Sequence, residues 1–111
     1  MTIIGIASAG RDETAMVADR FARAPWFVIA DGDGKILDSL ENDAGGEQHG
    51  AASKALMTLS EKKVSVVLAP RLGPNAMGFM KQANMEAYCA EGMTVREALD
   101  GYRAGALEKL A

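Results

Sequence analysis

The sequence predicts an α/β fold, a three-layer α/β/α sandwich built on a mixed five-stranded sheet with one antiparallel strand. Three observations carry this expectation. Residues 2–8 and 64–69 are short, continuous apolar runs rich in β-branched side chains, the pattern of strands buried on both faces of a parallel sheet. Residues 25–31 form another apolar run, and Asp31-Gly32-Asp33-Gly34 then supplies the turn chemistry of a hairpin. Three later segments carry apolar residues at helical spacing, each with one stripe to lay against a sheet.

Taken in order, the runs at 2–8 and 64–69 are expected to be neighbours at the sheet centre. After the turn at 31–34, a weaker strand over 35–41 closes the hairpin and makes the sheet mixed. Ala52, Ala55, Leu56 and Leu59 mark the first helix, and Ala76, Phe79, Met80 and Ala83 the second. Met77 and Met80 on that second helix read as core packing, Met80 directly on the stripe. A fifth strand over 85–90 is short enough to suit an edge. The last helix shows Val95, Ala98, Leu99 and Tyr102 on one face. It opens with Thr94-Val95-Arg96-Glu97, a capping box in which hydroxyl and carboxylate each satisfy a backbone amide, and Gly105 ends it. Residues 9–24 fit no element. Mixed charges and no evident stripe predict a mobile loop that orders around a ligand, and a connection this long in a small domain is often functional.

A length of 111 residues suits a single domain over 1–111 with a core of its own. Twelve basic and fifteen acidic residues leave a net charge of −3, which argues against a general nucleic-acid binder. One cysteine, Cys89, gives no disulfide framework and suits a reducing cytoplasm. The apolar start lacks the positive flank and length of a signal peptide, and no run is long enough to span a membrane. The expectation is a cytoplasmic monomer.

Two segments look built to hold an anion. Arg20 and Arg23 flank Phe21 and Ala22 ahead of Pro25-Trp26-Phe27, and Arg71 precedes Leu72-Gly73-Pro74-Asn75. Gly-Pro-Asn after a buried strand reads as a helix start, because proline suits the first helical position. The free amides and dipole of such a turn favour negative charge. Gly73 and Asn75 are therefore anion-site candidates together with Arg20, Arg23 and Arg71. The bland alternative for the arginines is solvation or pairing with Asp12, Glu13 or Asp19.

The order and spacing of several motifs resemble the dinitrogenase iron-molybdenum cofactor biosynthesis family. They are Ile3-Ile4-Gly5-Ile6-Ala7, Met16-Val17, Arg20-Phe21, Arg23-Ala24-Pro25-Trp26-Phe27, Gln48-His49-Gly50-Ala51, Gly73-Pro74-Asn75-Ala76 and Thr94-Val95-Arg96-Glu97-Ala98. The resemblance implies a ribonuclease-H-like sandwich that carries or inserts an anionic metal–sulfur cluster and has no catalytic residues. Where family members commonly show His-Phe-Gly-Arg-Ala, this chain has Arg20-Phe21-Ala22-Arg23-Ala24. A cation replaces a potential ligand, and Ala22 in place of glycine stiffens the turn, because alanine tolerates positive φ poorly. With Met16-Val17, the resemblance leans to the orange-protein subgroup, and it implies a metal–sulfur cluster of molybdenum-copper-sulfide or iron-molybdenum-sulfur type.

Soft-metal ligation has three candidates. His49, the only histidine, precedes a predicted helix; it can ligate metal as neutral imidazole or pair with an anion when protonated, against packing or capping locally. Met16 lies in the charged loop, where its thioether can meet copper or sulfide, against anchoring the loop. Cys89 can bind a soft metal as thiolate, against acting as a small buried hydrophobe on its strand. Two other readings stand beside cluster binding: an adaptor docking a partner such as a cluster-handling ATPase, and a metal-dependent nuclease using Asp31 and Asp33. Hairpin geometry alone explains those two aspartates, and the first strand carries no carboxylate.

Overall fold

A computed structural model describes residues 2–42 and 51–110. The strands are β1 (Ile3–Ser8), β2 (Trp26–Asp31), β3 (Ile36–Glu41), β4 (Val66–Ala69) and β5 (Glu86–Cys89); the helices are α1 (Ala51–Glu61), α2 (Pro74–Gln82) and α3 (Val95–Arg103). The sheet order is β3-β2-β1-β4-β5. Only β2 runs against the rest: it pairs antiparallel with β1 and β3, while β4 is parallel to β1 and to β5. The expected mixed sheet with one reversed strand is what forms.

Alternation along each strand builds two cores. Ala7, Phe27, Ile29, Val67, Ala69 and Ala87 face one side, against Ala55, Leu56 and Leu59 of α1 and Ala76 and Met80 of α2. Ile4, Ile6, Val28, Ala30, Val66 and Leu68 face the other, against Val95, Ala98 and Leu99 of α3. Two apolar faces explain why β1 and β4 read as unbroken apolar runs. At Gly5 the α1 side packs tightly on the sheet, since a Cβ there would stand 3.3 Å from Val64 and 3.4 Å from Leu59 of α1.

Three details depart from the sequence reading. Met77 is 37% exposed, so only Met80 of that pair is core. The register of β2 with β3 shifts between Ile29 and Ala30. Beyond α3 the chain returns along β5, with Cys89 N–H donating to the Glu108 carbonyl and Leu110 N–H to that of Ala87, both at 2.7 Å. The β5 edge is thereby covered. No described helix is long and apolar enough to cross a membrane.

Candidate functional site

The parallel strands β1 and β4 end at the same edge of the sheet, where open α/β folds place ligands. The turn after β4 carries Arg71 and Gly73 into α2. Beside it lies the 20–22 turn, and the first residues of α1 close the group. Arg20, Phe21, Ala22, Ala52, Arg71, Leu72, Gly73 and Ala76 line one cleft of about 320 Å³. Among the described residues its lining contains two arginines and no carboxylate. Arg20 also borders a second cleft of about 310 Å³, shared with Ala9, Ala18, Asp19, Arg23 and Pro25. Two of the three predicted arginines thus line one cleft together, and Arg23 lines the adjoining one.

The helix starts supply the other half of the electrostatics. α2 begins at Gly73 with φ −77° and ψ 170°, proline in its first turn, and no side-chain cap. Neither α1 nor α2 has an acidic residue in its first turn. α3 is built the opposite way: the Thr94 hydroxyl accepts from Glu97 N–H, and the Glu97 carboxylate accepts from Thr94 N–H. Its next two amides are used as well, Val95 N–H donating to the Ala15 carbonyl at 2.8 Å and Arg96 N–H to that of Glu13 at 2.9 Å. A helix start leaves about four amides without intrahelical partners. The chain uses those of α3 internally, whereas α2, with proline at its start and no side-chain cap, begins beside the arginine cleft.

The 9–24 segment is not the unanchored loop that its charges suggested. Val17, Ala18, Phe21 and Ala24 are buried. Phe21 meets Phe27 at 5.2 Å between ring centroids. Ala18 N–H donates to the Ala7 carbonyl at 2.9 Å, and Val17 N–H to that of Met93 at 2.8 Å. The Asn42 side-chain amide donates to the carbonyls of Ala22 (3.1 Å) and Ala24 (2.8 Å), closing the turn that holds Arg20 and Arg23. The reading that this segment lacks a buried stripe is overturned: 17, 18, 21 and 24 stand at helical spacing amid the charges, but the chain there turns and bridges to Ser8 and Thr94 instead of forming a helix. Ala22 keeps negative φ, since Lys63 and Asn84 are the non-glycine residues with positive φ among those described. Alanine is therefore unstrained there.

A family model for the dinitrogenase iron-molybdenum cofactor matches residues 2–105. The chain belongs to that family. Its fold is similar to the apo form of the orange protein from Desulfovibrio gigas, with 27% identity, 100% of this chain and 94% of that one covered, and a TM-score of 0.94. It is similar also to a candidate NifB protein from Thermotoga, with 38% identity, 98% and 93% coverage, and a TM-score of 0.86. An uncharacterized protein of Methanocaldococcus jannaschii is 25% identical over 96 residues, 84% of this chain and 81% of its own.

The remaining family-motif residues are placed differently. Met16 is 47% exposed and bridges Thr94 at the start of α3, so it lines neither arginine cleft. Asn75, one residue into α2, is exposed and outside the cleft lining. Cys89 is half-buried at the end of β5, its thiol donating to the Pro70 carbonyl at 3.3 Å. Burial pushes that thiol up, and Glu91 and Glu108 add to the effect. His49 lies outside the described residues, two positions before α1. The Asp31 carboxylate accepts from the backbone of Asp33 (2.9 Å) and Lys35 (3.0 Å), which is turn chemistry. Sequence reasoning missed Ala52, Ala22 and Ala76 as cleft walls. Their small size beside two helix starts was the signal that could have found them.

Proposed function

We propose that this family member binds and carries a small anionic metal–sulfur cluster in the Arg20–Arg71 cleft and catalyses no reaction of its own. One observation supports this most: two arginines and the uncapped start of α2 border a cleft whose lining, among the described residues, has no carboxylate. Guanidinium stays charged at any working pH and donates through a planar fork, and helix amides add fixed donors without a side-chain reorganisation cost. Sulfide and oxide ligands at the surface of such a cluster are the acceptors that this donor set suits. Arg23 extends the positive field through the adjoining cleft.

The cluster is cargo in this reading, either molybdenum-copper-sulfide or iron-molybdenum-sulfur. Arginine in place of the family's histidine at position 20, and likeness to the orange protein, favour the copper-containing form. His49, ahead of α1, is proposed as an additional ligand or cationic partner. Met16 and Cys89 enter only if ligand binding draws them toward the cleft.

Anaerobic purification from the native host, with element analysis and visible spectroscopy, tests the reading. A protein-bound absorption band with stoichiometric molybdenum supports it. Saturable partner binding without a chromophore would support an adaptor instead.

A further inference from the structure

We propose that the Arg96–Glu13 ion pair is a latch that positions the Arg20 segment, making Arg96 a determinant of anion affinity although it lines neither arginine cleft. The inference rests on the cleft reading above and asks what holds that cleft in shape. The Arg96 guanidinium donates through Nε (2.9 Å) and Nη2 to Glu13 Oε2, and Nη2 also donates to the Gly34 carbonyl at 2.9 Å. Its Nη1 lies 3.7 Å from Asp100 Oδ1. One side chain therefore joins the 9–24 segment, the β2–β3 turn and α3.

The surrounding backbone is arranged for this contact. Gly34 has φ +87°, and a Cβ there would stand 3.1 Å from Arg96 Nη1, so the turn passes close beneath the guanidinium. From Glu13 the chain runs along the start of α3, through the Ala15–Val95 hydrogen bond, the Met16–Thr94 bridge and the Val17–Met93 hydrogen bond, then crosses to β1 at Ala18. Arg20 follows two residues later. An isolated exposed ion pair contributes little, but this one sits within a backbone register that fixes where the arginine turn begins. Lysine keeps the charge and loses the fork, so Arg96→Lys separates charge from geometry.

The test compares wild type with Arg96→Lys, Arg96→Gln, Glu13→Gln and the Glu13→Gln/Arg96→Gln double variant. Three quantities are measured: thermal melting, amide exchange at Ala15, Val17 and Ala18, and affinity for tetrathiomolybdate with copper(I). Each single variant should bind the anion roughly fivefold more weakly, at the low end of ordinary coupling between sites. The double variant should lose no more than either single one, because the two side chains act as a unit. Exchange at the three amides should quicken, while folded protein persists at the assay temperature. Variants with faster exchange but wild-type affinity would overturn the positioning role, and unchanged exchange would show that there is no latch. A wild type that retains no anion would instead overturn the cleft reading, with the exchange comparison still showing whether Arg96 orders the segment.

Discussion

Replacing Phe21 by alanine tests whether the arginine turn is part of the core or laid over it. Phe21 is 4% exposed and packs in the core shared with α1 and α2, its ring tilted 49° to that of Phe27 at 5.2 Å. Truncating a buried phenylalanine costs about 3–5 kcal/mol, through lost transfer energy and the cavity left behind. Against a total stability of roughly 5–15 kcal/mol, that is a large share. At about 4 °C per kcal/mol for a chain of this length, melting should fall by about 12–20 °C. Urea denaturation of Phe21→Ala and the milder Phe21→Leu gives the free energies directly, the second change costing about 1–1.5 kcal/mol. A loss below about 1 kcal/mol for Phe21→Ala would refute the anchored loop and restore the mobile one that the charge pattern suggests.

Gly73→Asp should raise stability by about 0.5–1 kcal/mol while weakening anion binding severalfold, because nothing lies within 4 Å of a Cβ there and the new carboxylate would cap the open amides of α2. A stabilised variant that binds anion like wild type would contradict the role given to those amides. Thr94→Ala should cost about 1 kcal/mol by breaking the capping box, read as a lower urea midpoint. The Cys89 thiol, raised by burial and then by Glu91 and Glu108, should alkylate more slowly in the folded protein at mildly alkaline pH than in urea; equal rates would contradict this. The sign follows from the neutral form being favoured in the fold: that contribution is present below the ordinary thiol pKa and is lost as pH rises through the folded value.

The two-sided apolar runs of β1 and β4, the Asp-Gly turn and the Thr94–Glu97 box each state their structure locally, which is why the central strand pair, the hairpin and the three layers were legible in the sequence. The site was half legible. Arg71, Gly73 and the helix start mark a candidate anion site through chemistry confined to a few residues, and the family motif brings Arg20 in. What brings Arg20 to Arg71 is tertiary: Phe21 in the core, Asn42 across the turn, and contacts from the start of α3. The Glu13–Arg96 pair spans 83 residues and leaves no local signal. Covering of β5 by the final residues is equally silent, since residues 106–110 show no strand pattern of their own.

The central claim concerns where an anionic cluster binds, and a visible titration tests it most directly. Tetrathiomolybdate with copper(I) is added to wild type and to an Arg20→Gln/Arg71→Gln variant at low salt, with melting measured on both. Wild type should retain a saturable charge-transfer chromophore through gel filtration. The variant should lose it while melting within a few degrees of wild type, since both arginines are exposed. Colour that elutes wholly unbound from wild type, or that the folded double variant retains equally, would contradict the account.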